Sequence, residues 1–218
     1  MMWESLPEQW KKCFEEAWTA YCSGSFPIGA AITDENGEVI STGRNKVYEK
    51  NYEEGQVCSN KIAHAEINAI LKIDNLETNK NRKKYSIYST MEPCALCFGA
   101  IVMSGIKNIH FAAGDGLAGA TNLIKANDYI AGKKMAVNGP ITDMEIVQLV
   151  LKTDFVLRRG HDTERIIAPW KRNCPIGVAI GENWFAKRKL QEAKHTGKPF
   201  GDIFDELIIE ARARVHTT

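Results

Sequence analysis

Apolar and polar positions change period several times along the chain, and each change predicts an element. From Glu8 to Ser23, Trp10, Phe14, Trp18 and Tyr21 recur at three- and four-residue steps, the stripe of an amphipathic core-facing helix. Ser23-Gly24-Ser25 breaks it. Phe26–Thr33 and Val39–Ser41 read as strands joined through Asp34-Glu35-Asn36-Gly37, where Asn-Gly favours a hairpin turn. Arg44–Lys61 is polar and irregular. The pattern then predicts a helix over Ala63–Lys72, a charged loop over Asn75–Lys84, a strand over Tyr85–Thr90, a helix over Cys94–Ser104 and a strand over Lys107–Ala112. Gly114–Ala120 is a glycine-rich loop at a strand end, where ligands tend to bind. Met135–Val137 suggests a last strand, followed by a helix over Asp143–Leu157. Such alternation indicates a layered α/β domain.

After Arg158-Arg159-Gly160 the character changes. Arg165–Gly181 reads as loop and Asn183–His195 as a basic helix. Asp202–Val215 is amphipathic, with Ile203, Phe204, Leu207, Ile208 and Ala211 on one face. The expected organisation is a domain over 1–160 and a partly helical extension over 161–218, of no readable function. Its amphipathic helix is expected to pack on the domain or on a second copy.

Charge refines this picture. The 218 residues carry a net charge of +1, which argues against a generally basic protein. Residues 1–157 hold 16 Lys/Arg against 19 Asp/Glu, and residues 158–218 hold 12 against 8. Any affinity for nucleic acid would therefore lean on the C-terminal part or on a local patch. The run Asn-Lys-Asn-Arg-Lys-Lys reads as a solvated connection. Six cysteines without a regular framework indicate a reducing compartment. No apolar run is long enough to span a membrane, and the acidic, Trp-containing N-terminus is unlike a signal peptide. A soluble cytoplasmic protein is expected.

Two short stretches carry the chemistry: Ile62-Ala-His-Ala-Glu-Ile-Asn-Ala69 and Met91-Glu-Pro-Cys-Ala-Leu-Cys-Phe98. His64, Cys94 and Cys97 offer one imidazole and two thiolates, a set that suits one Zn2+ and leaves a fourth position for water. A closed structural site would need a second close cysteine pair, and Cys13, Cys22, Cys58 and Cys174 are scattered singly. Glu66 is too tightly linked to His64 to be a convenient fourth ligand, yet close enough to exchange protons with that water. Zinc lowers the pKa of water to roughly 7, and one carboxylate can carry its proton to a ring nitrogen and then to a leaving amine. Pro93 blocks earlier helix, so Cys94 and Cys97 fall one turn apart on one face.

H-x-E…P-C-x-x-C is a recognised signature of zinc deaminases. Residues from about Phe26 to Gly160 resemble the cytidine deaminase-like superfamily, especially its tRNA adenosine deaminase and guanine deaminase branch. The resemblance rests on Pro27-Ile28-Gly29-Ala30, Gly43-Arg44-Asn45, Ala63-His64-Ala65-Glu66, Glu92-Pro93-Cys94-Ala95-Leu96-Cys97 and Gly99-Ala100-Ile101. Phe155-Val156-Leu157-Arg158-Arg159 is similar to the last helix end of the tRNA branch. It implies a three-layer α-β-α sandwich around a mixed five-stranded sheet, in a homodimer or larger assembly. It also implies that Asn45 hydrogen-bonds the base, that backbone N–H groups near Ala65 and Cys94 hold the substrate, and that Phe26, Pro27 and Ile28 form an apolar wall. Asp115, in the glycine-rich loop, is a further candidate substrate contact.

Two departures stand out. Leu117 occupies the place of a lysine in the tRNA branch, which removes a phosphate-binding candidate. The long segment between Asn45 and His64, including Tyr48–Gln56, is expected to cover the pocket and favour a small substrate. The resulting expectation is a hydrolytic nucleobase deaminase acting on a purine, as adenosine in tRNA or as a free base or nucleoside. Cytosine or cytidine is the alternative substrate, and a non-catalytic zinc-containing nucleic-acid-binding or partner subunit is the alternative of another class.

Overall fold

The computed structural model describes residues 1–73 and 81–215. Its elements are helix α1 (Glu8–Cys22), strands β1 (Gly29–Thr33) and β2 (Val39–Arg44), helix α2 (Ala65–Leu71), strand β3 (Ser86–Met91) and helix α3 (Ala95–Ser104). They continue with β4 (Asn108–Ala113), a short α4 (Asp128–Gly132), β5 (Ala136–Asn138) and the long α5 (Thr142–Arg159). Four helices follow: α6 (Thr163–Asn173), α7 (Pro175–Ala186), α8 (Lys189–Thr196) and α9 (Phe200–Val215). Most of the expected charged loop over 75–84 lies outside the described residues.

The sheet order is β2-β1-β3-β4-β5, with β1 antiparallel to both neighbours and β3, β4 and β5 parallel. The expected mixed five-stranded sheet is therefore present. Alternation along β1 divides the core. Ala30 and Ile32 join Ala65, Ala69, Phe98 and Ile101 beneath α2 and α3, while Ala31 joins Phe14, Val147 and Val150 beneath α1 and α5. Two such apolar layers, one on each face, are what hold an α-β-α sandwich together.

Gly43 in β2 sets the height of α2. A Cβ there would lie 2.4 Å from both the Ala65 carbonyl oxygen and the Ala69 nitrogen, so only glycine lets α2 lie this close. That contact brings His64 and Glu66 down onto the sheet end.

Arg165–Gly181, expected as loop, is helical. Pro169 lies inside α6, and Pro175 is the first residue of α7. Proline at a helix start costs nothing because its missing N–H would be unpaired there anyway. Gly181 faces α5, where a Cβ would come 2.7 Å from Thr153 Cβ. Tertiary contact thus replaces local propensity in these helices. The expected helix over Asn183–His195 divides at Arg188, which has φ +55°. The amphipathic face of α9 is buried as expected, and α6 to α9 share one apolar cluster with α1 and α5. As a result α5 is enclosed on all sides: every residue from Met144 to Val156 is buried.

Candidate metal centre and substrate cleft

Both sequence stretches end at the same corner of the sheet. His64 caps α2 with extended backbone, and Cys94 caps α3, with Cys97 one turn further on. The His64 Nδ1 lies 3.5 Å from Cys94 Sγ and 3.4 Å from Cys97 Sγ, and all three donor atoms fall within 4.8 Å of one another. Bonds of about 2.0 Å to nitrogen and 2.3 Å to sulfur, set at a tetrahedral angle, give a nitrogen–sulfur edge of about 3.5 Å. The donor set and its spacing fit zinc.

A hydrogen bond couples the two sulfurs. The hydrogen bond from Cys97 holds the Cys94 thiol down to about 4, with help from His64 against partial burial. The same bond, together with burial, pushes Cys97 up. The hydrogen bond to Cys94 raises His64 against burial. A dication in this corner would displace the remaining thiol proton.

Glu66 is 4% exposed at the base of the corner. Its Oε1 accepts a hydrogen bond from Ser89 Oγ at 3.0 Å, and Oε2 lies 3.2 Å from Cys97 Sγ. Burial pushes its carboxyl above the ordinary range. Across the cleft, Asn45 is 2% exposed and its Oδ1 is occupied by the Ser25 hydroxyl at 2.8 Å and the Val47 N–H at 3.1 Å. Its Nδ2 has no partner among the described residues, so the amide donor is left for a ligand.

The cleft measures about 270 Å³. His64, Glu66 and Cys94 form its floor, with Asn45, Phe26 and Ile28 on one side. The glycine-rich loop supplies Asp115, Leu117 and Ala118. Pro27 and Ala65 are buried and do not line it: the Pro27 carbonyl accepts from Gln148 Nε2 of α5 at 2.8 Å, and Ala65, at the start of α2, joins the core cluster of Ala30 and Ile32. Expected apolar-wall residue Pro27 is thus a support for the wall.

The remaining wall was not foreseen. Lys152 and Val156 come from α5, and Arg165, Ile166 and Trp170 from α6. Trp170 Nε1 donates to Asp115 Oδ1 at 3.0 Å, which ties the wall to the glycine-rich loop. No residue of 46–61 lines the cleft. That segment is drawn aside by Asn68, which receives the Val57 N–H at 2.7 Å and donates to the Val57 and Arg44 carbonyls at 3.1 and 3.0 Å. Arg44 further grips Glu49 and Glu53 at 3.0 and 2.8 Å. The expected cover over the pocket is therefore supplied by α6. A tryptophan followed by basic residues was the one visible signal, and such a pattern is equally that of an ordinary amphipathic helix.

Residues 4–113 match the family model described as the cytidine and deoxycytidylate deaminase zinc-binding region. The tRNA-specific adenosine deaminase of Rickettsia bellii (strain RML369-C) is 37% identical over 111 residues, covering 50% of this chain and 71% of that protein. The cytosine deaminase of Candida albicans (strain SC5314 / ATCC MYA-2876) is 28% identical over 148 residues, 68% of this chain and 87% of that protein. A solved structure from a study of A-to-I editing by tRNA:A34 deaminases at the wobble position of transfer RNA is 25% identical. It covers 60% of this chain and 96% of that chain, with a TM-score of 0.46.

Proposed function

This chain belongs to the cytidine and deoxycytidylate deaminase zinc-binding family, and on that premise we propose that it is a zinc-dependent hydrolase that removes the exocyclic amine of a purine as ammonia. The observation that carries the reading is a buried carboxylate, Glu66, beside an imidazole and two sulfurs spaced for one metal ion. His64, Cys94 and Cys97 would hold the zinc, which when bound supplies Lewis acidity and lowers the pKa of water to roughly 7.

This chain's own groups do the rest. Glu66 takes a proton from the attacking water, gives it to the ring nitrogen and later delivers one to the departing amine; Ser89 keeps Oε1 oriented meanwhile. Asn45 Nδ2 donates to the base, its orientation fixed by Ser25 and Val47. Phe26, Ile28 and Trp170 exclude bulk water from the ring.

A free base or nucleoside is favoured over a tRNA loop. Of Arg158 and Arg159, the residues that resemble the tRNA branch, Arg158 is engaged internally and Arg159 is exposed. Arg158 holds the buried Asp154 through bonds of 2.7 and 2.9 Å, and Arg159 lies 3.9 Å over the Tyr48 ring. The name of the Rickettsia relative supports the tRNA reading. Residues 161–218 are read as an extension that serves the same site. Self-association as a homodimer is supported by Leu96 and Met103, exposed on α3 at 41% and 73%. Six free thiols support a reducing, cytoplasmic setting, and no described helix is long and apolar enough to cross a membrane.

Ammonia release measured as kcat/KM across adenine, guanine, cytosine, their nucleosides and tRNA tests the proposal. Turnover of a purine base or nucleoside above tRNA is expected. Zinc-loaded protein inert on every member would refute deamination, and a preference for cytosine would move the assignment to the pyrimidine.

A further inference from the structure

Among the described residues Lys152 is the one lysine lining the cleft, and neither the metal chemistry nor the binding of the base by Asn45 uses it. It lies on α5 beyond residue 113, where the match to the family model ends. The residue is 6% exposed, and among the described residues it has no hydrogen bond and no carboxylate within ion-pair distance. Its Nζ instead sits 4.8 Å from the Phe26 ring centroid and 5.1 Å from that of Trp170.

Such a position is costly unless something offsets it. A buried ammonium is ordinarily paired with a carboxylate. Here burial pushes the Lys152 pKa down while Asp115 and Glu66 pull it back at longer range. Two ring faces give partial compensation. Charged or neutral, the amine keeps N–H donors that no protein acceptor takes. Neither nearby carboxylate is in ion-pair contact with it: Asp115 Oδ1 receives the Leu117 N–H at 3.0 Å and the Trp170 Nε1–H at 3.0 Å, and Glu66 turns toward Ser89 and Cys97. A cleft-lining donor with no acceptor of its own calls for one on the ligand.

We propose that Lys152 is a specificity residue that donates to an oxo group on the base, so that the site prefers amino-oxo heterocycles over amino heterocycles without an oxo group. This rests on the deaminase reading of the cleft and names the substrate class within it. An oxo oxygen is a strong acceptor, and a bond from a desolvated ammonium to it is worth more than a neutral one. A pocket that leaves such a donor unpaired rejects the analogue that lacks the acceptor. Aminopurines without oxygen would leave Lys152 buried and unsatisfied.

The test uses the full-length zinc-loaded protein and ligands that carry no amine to lose. Xanthine, with oxo groups, and unsubstituted purine, without them, are titrated calorimetrically into the wild type, Lys152→Met and Lys152→Arg. The wild type is expected to bind xanthine about 10- to 100-fold more tightly than purine. Lys152→Met should abolish that ratio by weakening xanthine alone, and Lys152→Arg should recover part of it. Metal content and melting temperature establish that each variant is intact; should Lys152→Met fail to fold, Lys152→Gln takes its place in the comparison. A wild type without oxo preference, or an unchanged ratio in the intact variant, overturns the assignment. Binding as expected in a protein that deaminates nothing would leave Lys152 its role and refute the reaction instead.

Discussion

The floor of the cleft and its far wall are built on different principles. The floor comes from two short stretches in which the reaction dictates residue type and spacing: one imidazole, two sulfurs one helical turn apart, and a carboxylate two residues from the imidazole. The wall comes from α5 and α6, where Lys152, Arg165, Ile166 and Trp170 are brought together by helix packing. The family match ends at residue 113, so it includes the floor and stops short of the wall. On the proposed reading, the groups that break the bond come from the family-matched part, while Lys152 and Trp170 add a ligand-facing wall from outside it. Lesions in the floor should abolish turnover, whereas lesions in the wall should change what binds or how firmly the fold holds.

The largest effect expected from breaking that division is at Glu66. Glu66→Ala should retain zinc while kcat falls about 10³-fold, since one group handles several proton transfers. Metal analysis beside steady-state kinetics checks it, and undiminished turnover would remove Glu66 from the reaction. Next comes a lesion behind the wall. Gly181→Val forces a side chain against Thr153 and Val150, and should lower folding stability by about 1–3 kcal/mol. Urea denaturation reads the loss, while zinc content should be unaffected; a variant as stable as the parent would contradict the close α5–α7 contact. Smallest is Trp170→Phe, which keeps the ring face but removes the donor to Asp115. KM should rise several-fold, up to about tenfold, with kcat little altered. A fall in kcat at constant KM would assign Trp170 to the floor instead.

What was legible in the sequence follows the same line. His64, Glu66, Cys94 and Cys97 could be found because a metal accepts few side-chain types at few spacings. The β1–β2 hairpin was legible from Asn36-Gly37, and Gly37 has φ +86°. The helices α6 and α7 were not, because Pro169, Pro175, Gly177 and Gly181 are locally the residues of loops. Their meaning depends on α5, which supplies a surface that a neighbouring chain segment cannot announce. Lys152 was hidden for a related reason. In a helix buried from Met144 to Val156, its place in sequence gives no sign that it borders a cleft. The segment 46–61 erred the other way: its length suggested a cover, yet Asn68 and Arg44 draw it off to the side.

The bond from Trp170 to Asp115 joins points 55 residues apart in the chain. During synthesis from the N-terminus, the candidate metal corner therefore emerges well before the helix that walls the cleft. Until α6 docks, the cleft lacks Arg165, Ile166 and Trp170 along one side. Docking of that helix is then what completes the far side of the cleft.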